Sequence, residues 1–178
     1  MKDVLYLLMK LPAAPISCCR IVAKMKQASA IWTIVLASFV VSGVVFCGLQ
    51  AALRNQSDYG ALILLIVLPL LGFLIVGISL GAVIVDFFGN CCGITCSFGS
   101  LWQVMLFISI PWVLLMPIVL TFSPARSLLS LYVPSTLTLG IFGSYDWPTR
   151  KLIGLVLLTN AIVLIGILCG KALILHVK

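Results

Sequence analysis

Side chains that commonly transfer protons are scarce in this sequence. It contains no glutamate, a single histidine, His176, and four aspartates that lie far apart between Asp3 and Asp146. General acid and base catalysis needs such groups within hydrogen-bond reach of the reacting atoms. We therefore expect a protein that is not an enzyme, with no catalytic residue and no cofactor.

Charge of either sign is also scarce, while apolar residues are abundant. Only 8% of the 178 residues are charged and 63% are hydrophobic, and the mean hydropathy is +1.30. A water-soluble domain of this composition would expose large apolar patches. Several apolar runs reach the length of about 20 residues that crosses a hydrocarbon core of about 30 Å. The sequence therefore predicts an all-α, polytopic integral membrane protein that has the lipid bilayer as a partner.

The net charge of +7 comes from basic residues that are dispersed between the apolar runs. Nucleic-acid binding normally needs basic residues gathered on one face, so we expect no nucleic-acid partner. Five basic residues precede the first long apolar run, and by the positive-inside rule they hold the N-terminus in the cytoplasm. They are Lys2, Lys10, Arg20, Lys24 and Lys26.

Five transmembrane helices are expected. A lead-in over residues 1–27, with a short interfacial amphipathic helix, precedes one transmembrane domain over residues 28–178. The first apolar stretch, residues 4–9, is too short for a signal peptide, so the first span is expected to remain as an anchor. The predicted spans cover about residues 29–53, 59–85, 101–122, 127–142 and 152–175.

The fourth predicted span is short and contains Pro134. It is expected to be either a thin crossing or a re-entrant helix. A full crossing places the polar segment 143–151 in the cytoplasm, whereas a four-span arrangement would leave Arg150 and Lys151 outside. The positive-inside rule therefore favours five spans, with the N-terminus inside and the C-terminus outside.

Prolines inside the second and third predicted spans indicate bent helices. Pro69 lies in the second span, and Pro111 and Pro117 lie in the third. Each proline removes one backbone hydrogen bond and leaves a carbonyl without its helical partner. We expect these carbonyls to be satisfied by neighbouring helices or by the hydroxyl of Ser109.

Pairs of small residues four positions apart occur in three of the predicted spans. Such spacing lets helix backbones approach closely, either within a bundle or between two chains. Packing within the chain is favoured over a dimer interface, because a single-chain bundle also needs close crossings. The pairs are Gly77 with Gly81, Gly166 with Gly170, and Ser38 with Ser42.

The seven cysteines do not indicate a disulfide framework, since they are divided between the cytoplasmic tail, the spans and one loop. Cys91, Cys92 and Cys96 would need a fourth ligand to bind a soft metal ion. The one histidine, His176, is predicted to lie on the opposite side of the membrane, so no metal site is expected. Free or palmitoylated thiols are the favoured interpretation of this cluster, and equally of Cys18 and Cys19.

Asp86 is the only acidic residue near a predicted intramembrane position. Acids inside membranes often mark ion or proton paths. Asp86 lies in the last turn of the second predicted span, beside Phe87 and Phe88, where its carboxylate reaches interfacial water. No second charge within a span is available as a relay partner, so an interfacial position is favoured and a transport role stays open.

Three further features are the entry 11–15 with Ile21 and basic residues before Trp32, the glycine-rich turn 89–93 with the pair Ser97-Phe98, and the proline-containing segment 106–112. Together they resemble the Yip family of five-span membrane proteins, named for interaction with Ypt/Rab GTPases, and in particular its short bacterial members. The resemblance implies five spans with a cytoplasmic N-terminus. It implies no activity, because none is agreed for the bacterial relatives.

The favoured function is a non-enzymatic membrane scaffold or accessory subunit that binds other membrane-protein subunits or lipid, or that forms a homo-oligomer. The alternative is a small transporter or channel component, with a path lined by the second and third spans and with Asp86 near its inner mouth. A thiol enzyme would rest on Cys91, Cys92 and Cys96 alone. The expected location is the bacterial inner membrane, with a eukaryotic endomembrane as the alternative.

Overall fold

The computed structural model describes residues 2–25, 28–54, 59–94, 96–121 and 129–176, and the side chains of 51–54, 59–70, 73–74, 120, 129–130 and 166–176 lie outside this description. All regular structure in these ranges is α-helical, which confirms the predicted all-α class. The helices are α1 (Lys2–Lys10), α2 (Pro15–Lys24), α3 (Ala28–Arg54), α4 (Tyr59–Cys91), α5 (Phe98–Thr121), α6 (Leu129–Ser144) and α7 (Thr149–His176). The side chains of Pro69, Gly166 and Gly170 fall outside the described part.

Two helices in the described part are long and apolar enough to cross a membrane. They are Ala28–Gln50, within α3, and Phe98–Val119, within α5, while the described apolar stretch of α4, Ile75–Cys91, is shorter. The 16 residues of α6 extend for about 24 Å, less than a hydrocarbon core of about 30 Å. By the length and composition of the described residues, two of the five predicted spans are therefore supported.

Helix α5 lies at the centre of the bundle, because α2, α3, α4 and α6 all pack against it. Every residue from Gln103 to Ile110 is buried. A helix that is apolar on all sides is buried on all sides, whereas a surface helix keeps a polar stripe. The unbroken apolar sequence of α5 is thus explained by its central position.

A hydrogen bond between α3 and α5 satisfies a carbonyl that a proline leaves free. Pro117 has no N–H group, so the carbonyl of Val113, four residues earlier, loses its helical partner. The Ser42 hydroxyl of α3 donates to this carbonyl at 2.8 Å. The predicted hydrogen bond from a neighbouring helix is therefore observed for the carbonyl that Pro117 leaves free. Helix α5 continues without interruption through both of its prolines.

Ser109 has a different partner from the predicted one. Its hydroxyl donates to the carbonyl of Leu106 at 2.6 Å. Pro111 frees the carbonyl of Phe107, which is the next residue along the chain. The prediction that Ser109 satisfies a carbonyl freed by proline is therefore wrong.

The stretch between the second and third predicted spans is partly helical in the structure, because α4 continues to Cys91 and α5 already begins at Phe98. Gly93 ends α4 with a φ of 70°, a conformation that favours glycine. The N–H of Gly93 donates to the Asn90 carbonyl at 3.0 Å, and the N–H of Ile94 donates to the Gly89 carbonyl at 2.8 Å. This pair of bonds is the Schellman motif, which stops a helix and caps its last carbonyls.

The lead-in forms two helices joined by a tight turn over residues 11–13. The predicted amphipathic segment corresponds to α1, which buries Val4 and Leu7. Pro15 then begins α2, as proline does at a first helical position where no N–H partner is needed. One helix was predicted in the lead-in, so α2 is a second helix that the prediction did not include.

Candidate functional site

Several helix ends meet at one end of the bundle, called here the inner end because the sequence predicts it to be cytoplasmic. The side-chain amide of Gln103, in α5, donates to the carbonyl of Met25, just after α2, at 3.0 Å. The Cys96 thiol donates to the carbonyl of Ser144, the last residue of α6, at 3.4 Å. These bonds hold α2 and the loop between α4 and α5 against the ends of α5 and α6.

A polar cavity of about 460 Å³ lies at the inner end. It is bounded by α2, the start of α5, the end of α6 and the two adjoining loops. Its lining carries two cations and one carboxylate, a net charge of +1. In the ranges that the structure describes, neither cation forms a salt bridge or donates a side-chain hydrogen bond. The lining includes the side chains of Arg20, Lys24, Ser97, Ser100, Asp146 and Trp147.

Tryptophan side chains surround the inner end. The Lys151 ammonium lies 4.7 Å from the centroid of the Trp147 ring. The rings of Trp32 and Trp102 lie 5.2 Å apart, and the Trp102 indole N–H donates to the Ser79 hydroxyl at 3.2 Å. Tryptophan is enriched where a membrane meets water, so rings gathered at one end of an apolar bundle are typical of that boundary.

Gly143 allows α2 to approach α6 at backbone distance. A Cβ atom at Gly143 would lie 3.3 Å from the Cα atom and from the carbonyl carbon of Cys19, and closer still to its Cβ atom. Only glycine fits such an approach without displacing the partner helix. Since Gly143 also lines the cavity, this contact fixes α2, with Arg20 and Lys24, beside the loop that carries Asp146.

Tyr145 follows α6 and is 1% exposed. Its phenolic oxygen and the hydroxyl of Ser144 are buried without a hydrogen-bond partner among the residues described. Burial, and then the nearby charges of Cys96 and Asp86, raise the pKa of Tyr145 above its ordinary value. The phenol therefore stays neutral at physiological pH and is a poor proton donor there.

Asp86 lies in α4, five residues before the helix ends, and not in its last turn. It is partly exposed, and its carboxylate accepts a hydrogen bond from the Asn90 amide at 3.3 Å. Its charge contributes to the raised pKa values of Cys96 and Tyr145. Asp86 is thus close to the inner end but does not line the cavity.

The small-residue pairs have unequal neighbours. A Cβ atom at Gly81 would lie 3.4 Å from Leu137 of α6, whereas one at Gly77 would have no neighbouring atom within 4 Å. Ser42 joins α3 to α5, while the Ser38 hydroxyl donates to Ile34 of its own helix at 2.7 Å. Of the pairs that the structure describes, one member of each therefore serves packing within the chain.

The cysteines differ in exposure. Cys18 and Cys19 are buried, Cys96 is partly exposed, and Cys91 and Cys92 are exposed. A lipid chain cannot be attached at Cys18 or Cys19 while α2 is docked, and among the cysteines that the structure describes Cys91 and Cys92 are the exposed ones. Among the described residues, no three of the His, Cys, Asp and Glu side chains form a group that could hold a metal ion.

The Cys96 thiol is a poor nucleophile. Burial, with the nearby charge of Asp86, raises the pKa of Cys96 to about 11, although a hydrogen bond to the Ser97 backbone lowers it slightly. Burial likewise raises the pKa of Cys19 to about 12. Because the thiolate is the nucleophilic form, neither residue has the low pKa of a reactive cysteine.

We expect maleimide to modify Cys91 and Cys92 rapidly and Cys96 at least about tenfold more slowly at pH 8, because a raised pKa lowers the thiolate fraction. Timed labelling of the protein in mild detergent, followed by mass spectrometry of its peptides, measures each rate. Labelling after denaturation is the control, and there all three thiols should react alike. Equal rates for Cys91 and Cys96 in the folded protein would contradict the packing of the loop.

Comparisons with protein-family models, curated proteins and solved structures give no match to this chain. The polar segment 143–151 and the basic lead-in are each recognisable in the sequence, but their contact is not. The one signal that could have joined them is the pair of glycines at 140 and 143, which marks a close approach to α6.

Proposed function

We propose that this chain is an integral membrane protein in which α3 to α7 cross the bilayer, with the N-terminus in the cytoplasm. We further propose that it acts as a non-enzymatic scaffold or accessory subunit by binding other membrane proteins or lipid. Helices α1 and α2 would then cover the inner end of the bundle. The polar cavity would open at the level of the lipid headgroups.

One observation carries this proposal: apolar side chains face outward while polar side chains are buried. In α3, Val40 is 65% exposed and Val44 is 61% exposed, whereas Ser38 and Ser42 are buried. A water-soluble bundle has the opposite arrangement, with its apolar stripe inside. Buried hydroxyl groups that bond to backbone carbonyls are common inside membrane helix bundles. The outward faces therefore fit contact with lipid or with another membrane protein.

The chain direction supports five crossings. The starts of α3 and α5 lie together, because the rings of Trp32 and Trp102 are 5.2 Å apart. The Cys96 thiol, just before α5, bonds to Ser144 at the end of α6, so α6 runs in the opposite direction to α5. With 33 and 28 residues, α4 and α7 exceed the length of about 20 residues that a crossing needs. The short α6 fits a thin or re-entrant crossing. The resemblance to the short bacterial Yip-type proteins favours the same topology.

Transport has less support from the geometry. The alternative requires a path lined by α4 and α5, with Asp86 near its mouth. The cavity that the structure describes takes residues from α2, α5, α6 and two loops, and none from α4. We therefore propose binding and not transport.

Site-specific photo-crosslinking in the native membrane tests the proposal. A photoreactive residue would replace Val44 in α3, Val76 in α4 or Leu157 in α7, each of which faces outward. We expect a discrete protein adduct from at least one of these faces, because a binding partner must contact an exposed face. The buried Phe107 is the matched control and should give no adduct with another chain.

The identity of the adduct decides between the forms of the proposal. An adduct with a second copy of the chain indicates a homo-oligomer, and one with a different membrane protein indicates an accessory subunit. Adducts with lipid alone from all three faces would reject both the homo-oligomer and the accessory subunit, and lipid binding would remain as the function. A C-terminal tag that is accessible from the cytoplasmic side would contradict five crossings.

A further inference from the structure

We propose that the polar cavity binds the headgroup of a phospholipid that carries both a phosphate and a primary amine, the phosphoethanolamine group. This inference rests on the proposed membrane location, which puts the cavity at headgroup depth. Arg20 and Lys24 bind the phosphate, and Asp146 binds the ammonium group. The proposal gives the lipid-binding function a defined site and a defined ligand chemistry.

The phosphate is recognised by two cations from one helix. Arg20 and Lys24 are four residues apart in α2 and therefore project from the same face. Both line the cavity, and neither has a side-chain partner in the described ranges. Ser97 and Ser100 line the same space and add hydroxyl donors. Charge-assisted bonds from arginine and lysine, with neutral donors beside them, are the usual means of binding a phosphate.

The size and the depth of the cavity fit a headgroup better than a larger ligand. Its volume of about 460 Å³ lies near the lower end of the range of about 300–1,000 Å³ that ligand pockets occupy. Trp147 lines the cavity and packs with Lys151, an aromatic and basic pair typical of the membrane surface. Phospholipid headgroups are the phosphate-bearing groups that are most concentrated at that depth.

Asp146 selects the type of headgroup. It is the only carboxylate in the lining, and it comes from a different element than the two cations. A carboxylate attracts an ammonium group, whereas it gains no charge attraction from a neutral glycerol group. The lining therefore suits the headgroup of phosphatidylethanolamine, which carries a primary amine beside its phosphate, better than that of phosphatidylglycerol, whose single charge is its phosphate.

Lipid binding to the full-length, delipidated protein in a neutral detergent tests the assignment. Native mass spectrometry would measure the affinity for phosphatidylethanolamine, for phosphatidylglycerol and for soluble phosphoethanolamine. We expect saturable binding of phosphatidylethanolamine, which Arg20→Gln with Lys24→Gln weakens by at least about tenfold through the loss of charge-assisted bonds. Arg20→Lys should retain most of the affinity because it keeps the charge.

Arg150→Gln is the matched control, because Arg150 is an exposed cation near the inner end that does not line the cavity. We expect it to leave the affinity unchanged. Asp146→Asn should abolish the preference for phosphatidylethanolamine over phosphatidylglycerol. Thermal unfolding without added lipid would show that each variant is folded, and Lys24→Gln alone replaces the double variant if that one does not fold.

Three outcomes would overturn the proposal: equal affinity of the folded double variant and the wild type, equal binding of the two lipids, or an equal effect of Arg150→Gln. If soluble phosphoethanolamine binds more tightly than the lipid, the cavity recognises the phosphoethanolamine group, but the ligand is a soluble molecule and the lipid assignment is wrong. Failure here is distinguishable from failure of the scaffold function, because that function is measured by protein adducts at the outward faces.

Discussion

Replacement of Gly143 by alanine is expected to displace α2 from the inner end of the bundle. The new Cβ atom would meet the backbone of Cys19, at 3.3 Å from its Cα atom, and a backbone cannot rotate away as the tip of a side chain can. Overpacking of this kind costs about 1–3 kcal/mol. Because docking of α2 buries Cys18 and Cys19, we expect their maleimide reactivity in mild detergent to rise by about tenfold or more.

Two other glycines provide matched controls for this experiment. A Cβ atom at Gly140 would lie 3.0 Å from Cγ of Met105, whose flexible side chain can move, so Gly140→Ala should have a smaller effect. A Cβ atom at Gly154 would have nothing within 4 Å. Gly154→Ala should be neutral or stabilise α7 by up to about 1 kcal/mol through helix propensity. If Gly143→Ala is tolerated as well as Gly154→Ala, α2 is not docked as described.

The position of α2 also determines whether the cavity exists. Two of the three charged residues that line it, Arg20 and Lys24, belong to this helix. Gly143→Ala should therefore weaken binding of phosphatidylethanolamine without changing any side chain that contacts the headgroup. The lead-in thus forms one wall of the cavity, although its sequence alone indicates only a membrane-surface helix.

The all-α class could be predicted because composition and apolar run length act independently of packing. The end of α4 could not be predicted, because loop-forming residues occur there before the helix actually ends. Glycine and cysteine residues near position 90 indicated a loop, but the helix continues until Gly93 adopts its positive φ. A single residue in the left-handed conformation ends the helix, and its position among several glycines is not visible in the composition.

The cavity could not be predicted because its residues are distant in the sequence. Arg20, Ser97 and Asp146 meet only because α2 folds back onto α5 and α6. The basic residues of the lead-in indicate the side of the membrane but carry no information on which helix they approach. Contacts of this kind depend on close packing at Gly143, and one glycine carries little information in a sequence that contains 14.

The hydrogen bond from Ser42 to the Val113 carbonyl supports a second large expected effect. Ser42→Ala should destabilise the bundle by about 1–2 kcal/mol, because it leaves a buried carbonyl without any donor. Ser38→Ala is the matched control. The Ser38 hydroxyl is also buried, but it donates to Ile34, whose carbonyl keeps its helical partner, so this change should cost much less.

A double-mutant cycle with Pro117 separates this mechanism from simple loss of packing. Pro117→Ala restores an N–H group that can bond to the Val113 carbonyl within α5, so Ser42 is no longer the only donor. Ser42→Ala should then cost little in the Pro117→Ala background, which is a coupling of about 1 kcal/mol. Reversible unfolding in mixed detergent micelles would measure all four proteins. Strictly additive effects would show that Ser42 stabilises the α3–α5 contact by packing alone, and that the carbonyl freed by Pro117 does not need it.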